Sequence, residues 1–365
     1  MKYNLSDICD YAKGKIDVAV LDKDTYISTE NMMPNKGGIT RASSLPTVAQ
    51  TQCFSAGDVL VSNIRPYFKK IWFAQYEGGC SNDVLVFRAK DGVSKRFLYY
   101  VLADDTFFDY SMATSKGTKM PRGDKKAIMK YEVPDFTYEE QEKIAGILEV
   151  IDEKIELNTA INKNLEQQAM ALFRAWFIDY SPFQGQIPSD WKKYKLGEFL
   201  PVITGKKNVN VSSDHGEYPF FSCSQDIAWT DEYSFEGNAI LVAGNGDFNV
   251  KFYSGKFEAY QRTYVLIPYN PRFTAWLFYA VKHNLDLITV AARGSVIKFI
   301  TKGNLEDFAF HAPVDLDNCA IIDHFTAINN QIAENRTENS KLAELRNALL
   351  PRLMSGELDV SDIDL

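Results

Sequence analysis

No apolar run in the chain approaches membrane-spanning length, and the N-terminal stretch MKYNLSDICDYAKGK carries charges throughout without an apolar h-region. These patterns give neither a membrane span nor a secretory signal, so the expected compartment is the cytoplasm. Cysteine is sparse: Cys9, Cys53, Cys80, Cys223 and Cys319 are five in number and scattered, with no C-x-x-C pair. A disulfide framework is not expected from such spacing, and buried or incidental thiols in a reducing compartment are. The four histidines share no ligand spacing with those cysteines, so no structural metal is expected.

Catalytic motifs are equally lacking. No G-x-x-x-x-G-K-[ST] occurs, and Gly244-Asn245-Gly246 lacks the third glycine of a dinucleotide loop, reading instead as a loop tip after the strand Ile240–Val242. Asn270-Pro271-Arg272-Phe273 resembles the N-P-P-[FY] tetrapeptide with which amino-methyltransferases hold adenine. The second proline is missing, however, and no βαβ unit precedes it to hold a methyl donor. It reads as a turn before a helix starting near Thr274. Pro134-Asp135 with Glu140 and Lys143 lacks the E-x-K element of a nuclease, and Glu140 is better used in a capping box with Thr137. No Ser/His/Asp or Cys/His set stands out, so no catalytic residue is nominated.

What the chain does have is a repeat. With 365 residues, 45% hydrophobic and 24% charged, it suits two ordinary globular domains plus connecting elements. Apolar residues recur in steps of four and three at Ile144, Leu148, Ile151, Ile155, Leu165, Ala169, Leu172 and Trp176, broken only by Asn158 and Asn162. The pattern returns 177 residues later as Ile321, Phe325, Ile328, Ile332, Asn335, Asn339, Leu342, Arg346, Leu349 and Leu353. Such a seam belongs to a helix packed along a partner helix, and two copies imply an internal partner. The domain starts repeat as well: Lys2-Tyr3-x-Leu5 matches Lys193-Tyr194-x-Leu196, and Gly57–Val61 matches Gly237–Val242.

The expected fold is α+β. A mixed domain over residues 1–136, rich in short strands with a short helix at Arg96–Asp105, leads into a long helix over 137–180. A linker (181–190), a second mixed domain (191–314), a second long helix (315–356) and a tail (357–365) follow. Each helix carries its domain at its own N-terminus, which favours antiparallel pairing with the domains at opposite ends. Asn158, Asn162, Asn335 and Asn339 then act as register pins, because slipping would leave amides facing leucine. Asp152, Glu153, Glu156 and Glu166 read as outer-face carboxylates. Arg346 breaks the seam, implying that the seam opens there or that Arg346 faces another subunit.

Net charge is −8, but a whole-chain sum says little about a local face. Lys116, Lys119, Arg122, Lys125, Lys126 and Lys130 crowd a glycine-interrupted segment, and Arg65, Lys69 and Lys70 surround Tyr67 and Phe68. In the second half Lys206, Lys207, Arg262, Arg272, Arg293, Lys298 and Lys302 are more dispersed. Lys and Arg bind phosphates, and Arg also reads base edges. The DNA-binding candidates are therefore Arg65, Lys69, Lys70, Lys116, Lys119, Arg122, Lys125, Lys206, Arg262, Arg293 and Lys298; a solubilising surface is the plainer alternative.

Taken with the opening Ile187-Pro188-x-x-Trp191 to Leu196-Gly197, the run Glu140-Gln141-Glu142-Lys143-Ile144 and the tail Leu349-Leu-Pro-Arg-Leu-Met-Ser-Gly-Glu-Leu358, the chain resembles the specificity subunit of type I restriction–modification enzymes. The resemblance covers nearly the whole length. It implies two target-recognition domains that each read half of a split double-stranded DNA sequence, and paired helices that dock two modification subunits. It further implies that S-adenosylmethionine, ATP and Mg belong to the modification and restriction/motor subunits, with no cofactor held by this chain. A free-standing adenine methyltransferase and a coiled-coil scaffold without DNA contact are the competing readings.

Overall fold

The structure, a computed structural model, describes residues 3–213, 216–290, 299–361 and 363. It divides into two units, Met1–Leu157 with Asn339–Leu365, and Asn158–Glu338. Each contains one mixed domain and one stretch of each long helix.

In the first unit Tyr3–Asn4 pairs antiparallel with Glu132–Val133, so the chain start is tied to the strand that leads into the long helix. Four strands form an antiparallel sheet in the order Cys9–Tyr11, Val84–Ala89, Val59–Ser62, Ile71–Phe73. A second sheet runs Lys15–Asp17, Gln50–Phe54, Gly78–Cys80, Tyr26–Ile27, its last pair parallel. The run Val59-Leu60-Val61 is apolar at every position because both faces of its strand are covered. Val59 and Val61 pack with Phe87, Phe97, Leu98 and, from the long helices, Leu148 and Leu353. Leu60 turns the other way, toward Phe54, Trp72 and Val86. Burial of each such side chain contributes about 1.5–3 kcal/mol. The short helix expected at Arg96–Asp105 spans Lys95–Ala103, and Asp104 caps a further helix, Asp105–Ala113, by accepting from the Thr106 amide at 2.8 Å.

The second unit repeats this plan. Trp191–Lys195 pairs antiparallel with Ala309–Pro313, and the sheet order Val202–Thr204, Thr263–Leu266, Phe235–Ala243, Val250–Ala259 reproduces that of the first domain. Tyr218–Phe221 and Ala228–Thr230 extend the sheet. What the first domain builds from two strands, Gln50–Phe54 and Val59–Ser62, the second builds from one, Phe235–Ala243. The joint is glycine in both. Gly57 lies between the separate strands at φ +90°, whereas Gly237 lies inside the continuous one at φ +132°, opposite Gly255 at +131°. Only glycine adopts these angles without steric cost, so the joint calls for glycine in both domains. Pro271–Phe273 is a turn, capped by the Asn270 side chain, and Thr274–His283 is the helix expected after it.

The long helices span Tyr138–Phe177 and Ala320–Met354. Thr137 and Glu140 form the expected capping box: the Glu140 carboxylate accepts from the Thr137 amide at 2.7 Å, and Thr137 Oγ1 from the Glu140 amide at 3.3 Å. Pairing is antiparallel within each unit. In the first, Arg346 reaches Asp152 and Asn339 reaches the Ile155 carbonyl; in the second, Asn158 donates to Glu338 and Asn335 to Asn162 at 2.8 Å.

Two expectations need correction. Asp152 is not an outer-face carboxylate: one oxygen accepts from Arg346 at 2.7 Å and the other from the Tyr100 hydroxyl at 2.9 Å. Arg346 is thereby placed, half-buried against Asp152 rather than at an open seam. Glu166 also faces partners, Arg336 at 3.0 Å and Lys282 at 3.4 Å. The 4-3 seam misplaced these carboxylates because each helix also buries a second face against a mixed domain, the first helix's C-terminal stretch against the second domain and the second helix's against the first. Phe173 and Phe177, one step off the seam, are buried there with Trp276 and Phe325.

Candidate nucleic-acid interface

The first domain's basic stretches are far apart in sequence but meet in space. After the strand Val59–Ser62 the chain turns through Pro66–Phe68, with Arg65 and Lys69 both left-handed at φ +50°. Arg65 donates its amide to the Pro121 carbonyl at 2.8 Å, and Ile64 bridges Arg122, joining this turn to the segment 116–125. That segment doubles back on itself through reciprocal main-chain bonds of 2.9 Å between Lys116 and Arg122. A third loop completes the surface: the Asn35 and Lys36 amides donate to the Phe68 and Lys69 carbonyls at 2.8 and 2.9 Å. Lys36 escaped sequence reasoning because it stands alone in its stretch, with neither cluster nor spacing to mark it.

Acids hold several of these cations. Asp105 accepts from both Lys36 and Lys69 at 2.8 Å; burial would raise its pKa, but the two lysines hold it below the ordinary carboxylate value. Lys116 pairs with Asp124, whose carboxyl is pushed down to about 2 by that lysine and by the amides of Ala127 and Lys126. Arg122 reaches Asp83 at 3.1 Å. Lys70 donates to the Thr29 carbonyl at 2.6 Å, and burial lowers its pKa. Lys119 and Lys125 are exposed and have no ion-pair partner among the described residues. Arg65 keeps its Nε buried without a hydrogen-bond partner among them. The surface thus combines cations already oriented by acids with cations still open to a phosphate.

In the second domain Lys206 and Arg262 come together less tightly. Lys207 bridges Tyr260, and the Gln261 amide donates to the Lys207 carbonyl at 3.0 Å, which sets both candidates on adjoining loops. Both are exposed. The loop Gly244–Asn249, which follows the strand equivalent to Val59–Ser62, carries amides and an acid instead of bases. Asn245 accepts from Cys223 Sγ at 3.1 Å, and Gln225 donates to Asp247 at 3.0 Å. Lys251 donates to the Ser224 carbonyl and was missed in the sequence because it sits within a strand. Arg272 is a structural clamp: it grips Asp323 at 2.6 and 2.9 Å and also the carbonyls of Leu316, Asp317 and Cys319. Lys302 pairs with Glu306 one turn on. Arg293 and Lys298 lie outside the described residues.

Duplicated mixed domains, each joined to a stretch of an antiparallel helix pair and each presenting a polar loop surface, define a tandem-duplicated α+β protein. The family model described as "Type I restriction modification DNA specificity domain" matches residues 1–167 and again 188–344. The chain belongs to that family. It is 35% identical over 178 residues to the type I restriction enzyme EcoDI specificity subunit of Escherichia coli, covering 48% of this chain and 40% of that one. It is 24% identical over 318 residues to the MjaIX specificity subunit of Methanocaldococcus jannaschii, covering 75% and 71%. The chain thus spans less than half the length of the E. coli relative. In fold it is similar to the S subunit of a type I restriction–modification system from M. genitalium, with a TM-score of 0.60 at 17% identity over 97% of this chain and 96% of that one.

Proposed function

We propose that this chain is the DNA-sequence-recognition subunit of a type I restriction–modification complex, with no catalytic role of its own. Each mixed domain reads one half of a bipartite duplex target. The paired helices set the spacer and dock two modification subunits, and restriction/motor subunits join through the complex. S-adenosylmethionine, ATP and Mg are assigned to those partners.

The observation that carries this reading is the contrast between equivalent loops on a duplicated frame. Residues Arg65–Lys70 offer cations and aromatics where Gly244–Asn249 offer amides and a carboxylate. Two readers of one topology but different chemistry suit an asymmetric split target. The test is co-expression with the modification subunit in a methylation-free host, followed by mapping of N6-methyladenine. The expected result is one split motif with two unlike halves. A continuous motif, or none, would overturn the proposal.

A further inference from the structure

The turn Arg65–Lys69 holds two aromatic rings in water at a backbone cost. Tyr67 is 49% exposed and Phe68 37%, with ring centroids 4.7 Å apart. Left-handed φ is uncommon for residues other than glycine, yet four of the six such residues among those described, Asn35, Lys36, Arg65 and Lys69, flank this pair. Main-chain bonds from Asn35, Lys36 and Arg65 hold the strained turn, as do the Lys36 and Lys69 pairs with Asp105. Strain fixed this firmly marks a feature whose shape is used.

The chain supplies its own control. Ser181–Phe183 forms the same kind of turn, again with a left-handed residue at each end, Tyr180 and Gln184. There Phe183 packs edge-on against Trp176 and Trp191, both at 5.4 Å. An equivalent turn can therefore be spent on packing, whereas that at Arg65–Lys69 leaves its rings outward between Arg65 and Lys70, whose Nζ lies 5.8 Å from the Phe68 ring centroid. Exposed rings ringed by cations suit the edge of a stacked, phosphate-lined duplex. In the second domain the equivalent loop has one ring, Phe248, and that ring packs against the core.

We propose that Tyr67 and Phe68 form a wedge that enters a base step of the half-site read by the first domain, unstacking it, while the second domain's half-site stays undistorted. This rests on the DNA-reading function proposed above. Specificity at that half-site then includes the ease with which its step unstacks, as well as any base-edge contacts.

The test uses the full chain assembled with its modification subunits and a duplex carrying the motif found by methylation mapping. 2-Aminopurine replaces one base at a time in either half, away from the modified adenines and their neighbours. The expected result is a fluorescence rise at one step of one half-site, lost in Tyr67→Ala/Phe68→Ala and kept in Phe68→Trp. Affinity for the duplex should fall roughly 10-fold or more in the alanine variant, in line with the loss of stacked aromatics elsewhere. Unchanged circular dichroism and melting would show that this variant folds. No rise at any step, equal rises in both halves, or a rise indifferent to the alanine variant would overturn the wedge. Failure to find a split motif at all would instead overturn the function on which it rests.

Discussion

Tyr100 and Tyr279 each fasten a mixed domain to a long helix, but they meet different chemistry. In the first unit Tyr100 donates to Asp152, whose other oxygen accepts from Arg346. In the second, Tyr279 donates to Asn329 at 2.8 Å. The 177-residue offset that aligns the helices puts Asn329 at the step of Asp152 and Ala169 at the step of Arg346. The two differences go together. Where the acceptor is a carboxylate, a cation stands across from it; where it is a carboxamide, alanine fills the space and is fully buried. A half-buried carboxylate needs a countercharge and an amide does not, so one interface has two locally neutral solutions. Burial, more than neighbouring charge, raises the pKa of both tyrosines, keeping each a donor at neutral pH.

This comparison can be broken by exchange. Arg346→Ala alone strands Asp152 and should cost about 2 kcal/mol, below the roughly 3–5 kcal/mol of a fully buried pair because both side chains remain about one-fifth exposed. Adding Asp152→Asn rewrites the first unit in the second unit's chemistry and should recover most of that loss. Urea unfolding of the four corners of the cycle measures it, and strict additivity would show that the two residues are not coupled. Removing the hydroxyls sharpens the contrast. Tyr100→Phe loses a bond to a charged acceptor, about 1.5–3 kcal/mol, while Tyr279→Phe loses a neutral one, about 0.5–1.5 kcal/mol. Equal losses would mean that the carboxylate adds nothing.

A smaller effect is expected at the helix pair of the second unit. Asn335→Leu removes the 2.8 Å donation to Asn162, which keeps its long 3.5 Å bond to the Ile332 carbonyl, and should cost about 1 kcal/mol. Asn162→Leu with Asn335→Leu should restore the melting temperature while loosening register, read as broader spacer tolerance in the methylation map. The smallest effect is acid sensitivity of the first domain's basic segment. The folded Asp124 carboxyl lies at about 2 against an ordinary 3.8, so the Lys116 link stabilises the segment fully above about pH 4. It is lost as pH falls through the folded value. An NMR titration of Asp124 midway near 3.8 would remove that contribution.

Much of the frame was legible because it is written locally. The 4-3 steps, the Thr137–Glu140 box and the duplicated Lys-Tyr-x-Leu starts each need only a few neighbouring residues to act, and all reappear as helices, cap and closing strands. The basic segments were also visible, since charge clusters survive in one dimension. Their meeting was not: Arg65 and Pro121 are joined by a main-chain bond that no side-chain pattern announces. Lys36 and Lys251 were missed for the same reason, each being a single cation placed by distant backbone.

Arg346 shows where the boundary lies. Helical periodicity determined that it sits on the inner side of a long helix, and the repeat showed that its counterpart is Ala169. Periodicity describes one face toward one partner, so it assigned Asp152 to water and left the arginine unexplained. Tertiary packing gave the helix a second contact, with the mixed domain, and turned Asp152 inward between Tyr100 and Arg346. The sequence by itself determined the elements, their duplication and the sites of charge. Which charges meet was decided only by folding, because ion pairs and hydrogen bonds act over a few ångströms between residues nearly two hundred positions apart.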